Sequence, residues 1–280
     1  MVLHFIKQAI KESAIPEKLI DQNVKIDYNK LRYLITLDKQ LNGNFSELKR
    51  IVEKQSIVAN IAESFPVKDL SKKANFISLL YYFGLLTIDR ELEGMYLLKI
   101  PNITIQKLMY EYIRSGFEDV EIFKVDMWEL SQHMREMAFR GNWHPFFQFL
   151  SDQIEQQTSI RDYLNGEKVI QGFLLAYLNV TDFYITQSEQ DMNKGFSDIY
   201  LEPFSAKFPD LQYAYLIELK YITRSDFSQK VLDENITKAR KQLDQYSQSD
   251  RVQKSIGTTQ LKKIVLVYNG WELCSCEEYK

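Results

Sequence analysis

Apolar positions recur at helical spacing through the first part of the chain: Leu3, Ile6 and Ile10, then Leu31, Leu34, Ile35 and Leu41, then Leu48, Ile51, Val52, Ile57 and Val58. A stripe that returns every three to four residues buries one side of a helix. Residues 1–60 therefore read as helical, with Ser46 ahead of Lys49 and Arg50 as a helix start. Another helix is predicted over about 71–83 from Phe76, Ile77, Leu79, Leu80 and Tyr81, stopping at Gly84. The pattern then changes. Leu85 to Ile88, a polar turn from Asp89 to Gly94, and Met95 to Ile100 read as a β-hairpin closed by Pro101-Asn102. Helices followed by such a hairpin suggest a small winged-helix-like unit. Its acidic turn would repel phosphates, which favours packing against the next domain over a nucleic-acid contact.

A helix over 104–115 leads into Phe117–Val120, where the boundary is placed, dividing a region 1–117 from a domain 118–280. Helical periodicity resumes from Val125 to Arg140, breaks at Gly141–Pro145, and continues in helices over 146–156 and 161–178. Strand-like segments follow at 182–186, 195–201 and 215–221, then a charged helix over about 231–247. The apolar strand 263–268 comes next, and Asn269-Gly270 is a hairpin turn into Trp271-Glu272-Leu273. This order predicts an α/β layout with a mixed sheet flanked by helices.

Composition narrows the class. An apolar content of 45% and a charged content of 26% are those of a soluble globular protein. A net charge of −3 argues against indiscriminate coating of polyanions. A local basic face remains, from Lys238, Arg240, Lys241, Arg251, Lys254, Lys262 and Lys263. Cys274 and Cys276 stand two apart on a terminal strand, so they are expected to face one side and to make a poor disulfide. Two thiols do not build a zinc site, and His4, His133 and His144 show no ligand spacing. No apolar run reaches the roughly 20 residues of a membrane span, and the start lacks a signal-peptide core. A cytoplasmic location is expected.

The chemistry concentrates between Gly195 and Tyr221. Alternation along a strand puts Glu218 and Lys220 on one face and Ile217 and Leu219 on the other. Asp198 shares its face with Phe196 and Tyr200, and pairing of the two strands would set it beside Glu218. Unpaired charge is costly on an apolar sheet. Two carboxylates suit a hard cation such as Mg²⁺ or Mn²⁺, with the Leu219 carbonyl to complete the site. A bound metal lowers the pKa of water and offsets charge growing on a phosphate. Lys220 can then orient the attacking water or neutralise the pentavalent intermediate. Glu167, near the start of the preceding helix, can add a third carboxylate through a water, and Gln242 can hold water or a phosphate oxygen. Asp191 reads as solvated. A Glu-x-Lys triplet alone is expected about once by chance in a chain of this length; the context of a Gly-x-x-Asp strand, a turn and an interrupted apolar strand gives it weight. The competing reading is a buried ion pair or edge-strand charges.

These residues resemble the PD-(D/E)XK nuclease superfamily, specifically the nuclease-like module found behind an AAA-ATPase-like domain in bacterial proteins. The resemblance rests on Gly195 to Asp198, on Leu216-Ile217-Glu218-Leu219-Lys220-Tyr221, and on Gln242-Leu243 with Tyr246. Asn75 to Ile88 with Ile100-Pro101-Asn102 looks like the segment that links the ATPase to the nuclease. It implies a restriction-endonuclease-like fold, Asp198 and Glu218 as metal ligands, Lys220 as catalytic lysine and Glu167 as the helix carboxylate. It also implies Mg²⁺ or Mn²⁺, a nucleic-acid substrate (DNA ahead of RNA) and an ATPase domain in cis or in trans. Ser197 replaces the proline of the superfamily's name, Gln171 a histidine, Phe196 an arginine, and Asp191 a glutamate. No Gly-x-x-x-x-Gly-Lys-Ser/Thr stretch occurs. The chain then reads either as a fragment of a longer protein or as a form without its motor. The expected activity is metal-dependent phosphodiester hydrolysis; the alternative is a catalytically silent module that binds nucleic acid or a partner protein.

Overall fold

A computed structural model describes residues 10–11, 34–37, 40–41, 43–64, 66, 69, 72–119, 125–156, 167–188 and 199–280. The chain divides into two units, Met1–Glu121 and Ile122–Lys280.

In the first unit, strands β1 (Thr36–Leu37) and β2 (Gln40–Leu41) precede helix α1 (Gly43–Lys54) and strand β3 (Ser56–Ala59). Helix α2 (Lys73–Tyr82), strands β4 (Thr87–Leu92) and β5 (Met95–Lys99), and helix α3 (Ile103–Asp119) follow. The stripe Phe45, Leu48, Ile51 and Val52 is buried, and Phe45 meets Phe117 of α3 edge-on at 5.2 Å. The helical reading of 1–60 is corrected in three places. Leu41, placed in the helical stripe, lies in β2, which pairs antiparallel with β1. The helix begins at Gly43, three residues ahead of Ser46, and Ile57 and Val58 lie in β3 instead of a helix. Gln55, with φ 58°, turns the chain, and Ser56–Ala59 pairs antiparallel with β5. A short apolar run suits either element, and its β-branched residues fit the strand that β5 offers. Leu3, Ile6 and Leu31 lie outside the described residues.

The hairpin is tighter than expected. Asp89 to Leu92, read as turn, continue strand β4, and only Glu93 (φ 52°) and Gly94 (φ 78°) turn. Two successive left-handed residues make the type I′ connection that matches strand twist. The sheet order β3-β5-β4 leaves β4 at an edge, where charged side chains meet water at little cost. Lys99 pairs with Asp89 across it at 2.6 Å.

The second unit begins with helices α4 (Met127–Arg140), α5 (His144–Gln156) and α6 (Glu167–Leu178). Strands β6 (Tyr184–Ser188), β7 (Ile199–Pro203) and β8 (Tyr213–Ile222) follow, then α7 (Gln229–Ser247) and α8 (Asp250–Ser255). Strands β9 (Gln260–Asn269) and β10 (Glu272–Tyr279) complete it. The five strands are ordered β10-β9-β8-β7-β6, with β8 and β9 parallel and the other neighbours antiparallel. A parallel pair needs a crossover, which α7 and α8 supply. Leu232, Ala239, Leu243 and Tyr246 of α7 and Val252 of α8 pack on Tyr200, Leu216, Ile222, Val265 and Val267. On the other face, the Tyr215 hydroxyl donates to the Met137 carbonyl of α4 at 2.7 Å. Ser151 of α5 lies 2.6 Å from the Tyr268 hydroxyl. With both faces covered, β8 and β9 are almost continuously apolar. This mixed sheet between helices is consistent with a restriction-endonuclease-like fold. Among the described residues no helix is long and apolar enough to cross a membrane.

The cysteines depart from simple alternation. A bulge falls between Leu273 and Ser275, after which Ser275 is level with Val267 and Cys276 with Leu266. The extra residue resets the alternation, so Cys274 packs with the α7 cluster while Cys276 takes the Leu266 side. They face opposite layers, not the same side. Burial raises both thiols, Cys276 to about 12, which keeps the thiolate scarce.

Helix α4 is capped by Asp126, which accepts from the Trp128 and Glu129 amides, and ends at Gly141 with φ 70°. A Cβ there would stand 2.6 Å from the Tyr213 ring. Gly141→Ala is expected to lower stability by about 1–3 kcal/mol through backbone strain and this clash, read as a fall in the urea midpoint.

Candidate active site

Strand β8 lies at the centre of the sheet, and Glu218 sits within it with 0% of its surface exposed. The Lys220 ammonium donates to Glu218 Oε1 at 2.8 Å. The side chains differ in access, at 1% for Glu218 and 17% for Lys220. Glu218 is level with Val265 of β9, and Lys220 with Val267. Both point to the layer formed by Leu216, Ile222 and α7, because alternate residues of β8 share a face. Gln242, half-buried on α7, donates to the Tyr246 hydroxyl at 3.3 Å. The helix that carries it covers the same face as Glu218.

Strand β7 approaches this pair from its other flank. Its register sets Ile199 opposite Ile217, Tyr200 opposite Leu216 and Leu201 opposite Tyr215. The described part of β7 thus ends one step from the level of Glu218. Asp198 lies outside the described residues, as do Asp191, Gly195, Phe196 and Ser197. Glu167 opens α6, and its side chain also lies outside them. Among the described residues, no three histidine, cysteine, aspartate or glutamate side chains gather as a metal cage.

Residues 165–278 match the family model described as PD-(D/E)XK nuclease superfamily.

The match runs from just before α6 to the end of β10, so it takes in all five strands of the sheet, while α4, α5 and the first unit fall outside it. No curated protein and no solved structure matches the chain. A nuclease-like module is thereby indicated for this segment. Nucleases of the superfamily hydrolyse nucleic acids and typically use Mg²⁺ or Mn²⁺.

Two sets of contacts that sequence patterning missed hold the walls of this site. The Tyr200 hydroxyl and Ser255 Oγ are 2.7 Å apart, and Arg251 reaches Glu202 at 3.5 Å, so α8 is tied to β7. On the far side of α7, Arg240 donates twice to Glu277, at 3.0 and 2.7 Å. Lys263 meets Asp244 at 2.8 Å, and the Tyr279 hydroxyl donates to the same carboxylate at 2.8 Å. On the opposite layer, Lys262 meets Glu278 at 2.7 Å. Of the residues expected to form a basic face, Arg240, Arg251, Lys262 and Lys263 are thus paired with acidic partners, while Lys238, Lys241 and Lys254 are exposed. The partners were out of reach of local spacing: Glu277 stands 37 residues from Arg240 and Glu202 stands 49 from Arg251.

The Lys263 ammonium, and after it the Tyr279 hydroxyl, hold the Asp244 carboxyl below its ordinary value of 3.8. A depressed carboxylate contributes stability that is present above its unfolded value and is lost as pH falls through the lower folded one. Asp244→Asn is expected to lower the melting temperature at pH 7. The gap from wild type should close as pH falls below the ordinary 3.8, checked by thermal unfolding across a pH series.

Proposed function

We propose that the second unit is a metal-dependent nuclease domain that hydrolyses phosphodiester bonds, in DNA ahead of RNA. The observation that carries this reading is the enclosed Glu218–Lys220 pair on the central strand, one step beyond the Ile199–Ile217 rung. Asp198 directly precedes Ile199 in the sequence and is the second carboxylate of this reading. Asp198 and Glu218 offer carboxylate oxygens, the hard donors that Mg²⁺ or Mn²⁺ takes, and this donor set fits such an ion. When bound, the ion lowers the pKa of a water and offsets phosphate charge.

Glu218 supplies its carboxylate from a position that the sheet fixes on both sides. Lys220, on the same face and closer to water, orients the attacking water or meets charge on the phosphate. Gln242 on α7 holds a water or a phosphate oxygen from above the same face, and Glu167, the first residue of α6, is the further carboxylate of this reading. Leu216, Val265 and Val267 keep the surroundings apolar, which strengthens each of these interactions.

For the first unit, the order α1, β3, α2, β4, β5 with sheet order β3-β5-β4 supports a winged-helix-like region. The hairpin carries Asp89, Glu91 and Glu93, which favours a protein surface over phosphates. The resemblance of residues 75–88 and 100–102 to a segment linking an ATPase to a nuclease makes an ATPase domain, in cis or in trans, the partner of this reading, with the cytoplasm as its setting.

The test is plasmid nicking with Mg²⁺ or Mn²⁺ by wild type, Asp198→Ala, Glu218→Ala and Lys220→Ala. Each variant is expected to lose about 10²–10³-fold of the rate. Equal nicking by variants and wild type, or metal-independent nicking, would overturn the reading, and no nicking at all would favour the silent module.

A further inference from the structure

We propose that Lys220 governs how tightly this site takes a divalent cation, because it holds the Glu218 carboxylate as an internal counter-ion whose charge opposes the incoming metal. The inference rests on the metal site proposed above and adds a second role to the lysine. A carboxylate enclosed in an apolar sheet cannot stay ionised without an opposite charge close by. Lys220 provides one at 2.8 Å, a short, charge-assisted bond.

The two partners are not equally fixed. Glu218 is enclosed at the middle of β8, while Lys220 retains access to solvent. A lysine stem lets its ammonium move outward while the methylenes stay packed. The movable half of the pair is therefore the cation. Of the cations on the elements around that face, Lys263 pairs with Asp244, Arg240 with Glu277 and Arg251 with Glu202.

A magnesium-sized ion needs carboxylate oxygen at about 2.0–2.1 Å, so it must approach a carboxylate whose Oε1 already meets the ammonium. Like charges a few ångströms apart in an apolar surrounding oppose each other strongly. The group that supports attack is thus also a brake on metal loading. Taking away its charge should tighten metal binding while cleavage is lost, the reverse of what loss of a ligand does.

The experiment is calorimetric titration of the full chain with Mn²⁺, beside thermal unfolding with and without Mn²⁺. Lys220→Met is expected to melt lower than wild type without metal and to gain more from saturating Mn²⁺. Its Kd should be about tenfold lower. Lys220→Arg, which keeps the charge, should bind like wild type, and Glu218→Gln should bind no metal. Lys220→Gln replaces Lys220→Met if the latter does not fold. Wild-type binding that is lost in Glu218→Gln but equal or weaker in Lys220→Met would overturn this inference alone. Wild type that binds no Mn²⁺ would remove the metal site and the inference together.

Discussion

An ionised carboxylate at the middle of a sheet imposes conditions on everything around it. Glu218 lies on the strand with most neighbours, between β7 and β9 and under α7, where water cannot solvate it. The charge is kept by placing an ammonium two residues further along the same strand, on the same face by the geometry of the pleat. Had the lysine stood one residue earlier or later, it would have pointed to the α4 side of the sheet instead of toward Glu218. The Glu-x-Lys spacing thus brings the lysine to the carboxylate on one face of the strand.

The surrounding architecture makes that position rigid. The parallel pairing of β8 with β9 holds over ten rungs, from Tyr213 to Ile222. The crossover that such pairing requires brings α7 and α8 onto the face where the charges lie. Apolar packing supplies the contact, and polar ties at the margins, Tyr200 with Ser255 and Arg240 with Glu277, set the angle at which the two helices rest. On the opposite layer, tyrosine hydroxyls that cross to α4 and α5 satisfy polar groups that burial would otherwise penalise.

Much of this was legible in the sequence because it departs from local expectation. An apolar strand interrupted by Glu218 and Lys220 stands out, and strand alternation alone places both on one face. Helix α7 and the β4–β5 hairpin showed themselves by period and by turn residues. The α/β class followed from element order. What was not legible depended on partners distant in the chain. Ile57 and Val58 fit a helical stripe until β5, about 40 residues later, takes them into a sheet. The ion pairs that quench Arg240 and Arg251 involve β10 and β7. The bulge that separates Cys274 from Cys276 leaves no compositional mark. The second carboxylate of the proposed pair, Asp198, lies outside the described residues.

The last strand deserves reading as a seam. Glu277 and Tyr279 are joined to α7 and its neighbours, whereas Glu278, turned the other way, accepts from the Trp143 ring nitrogen at 3.0 Å as well as from Lys262. Three consecutive side chains therefore stitch both helical layers to one sheet margin. Trimming the chain before Glu277 would remove polar ties to both layers at once.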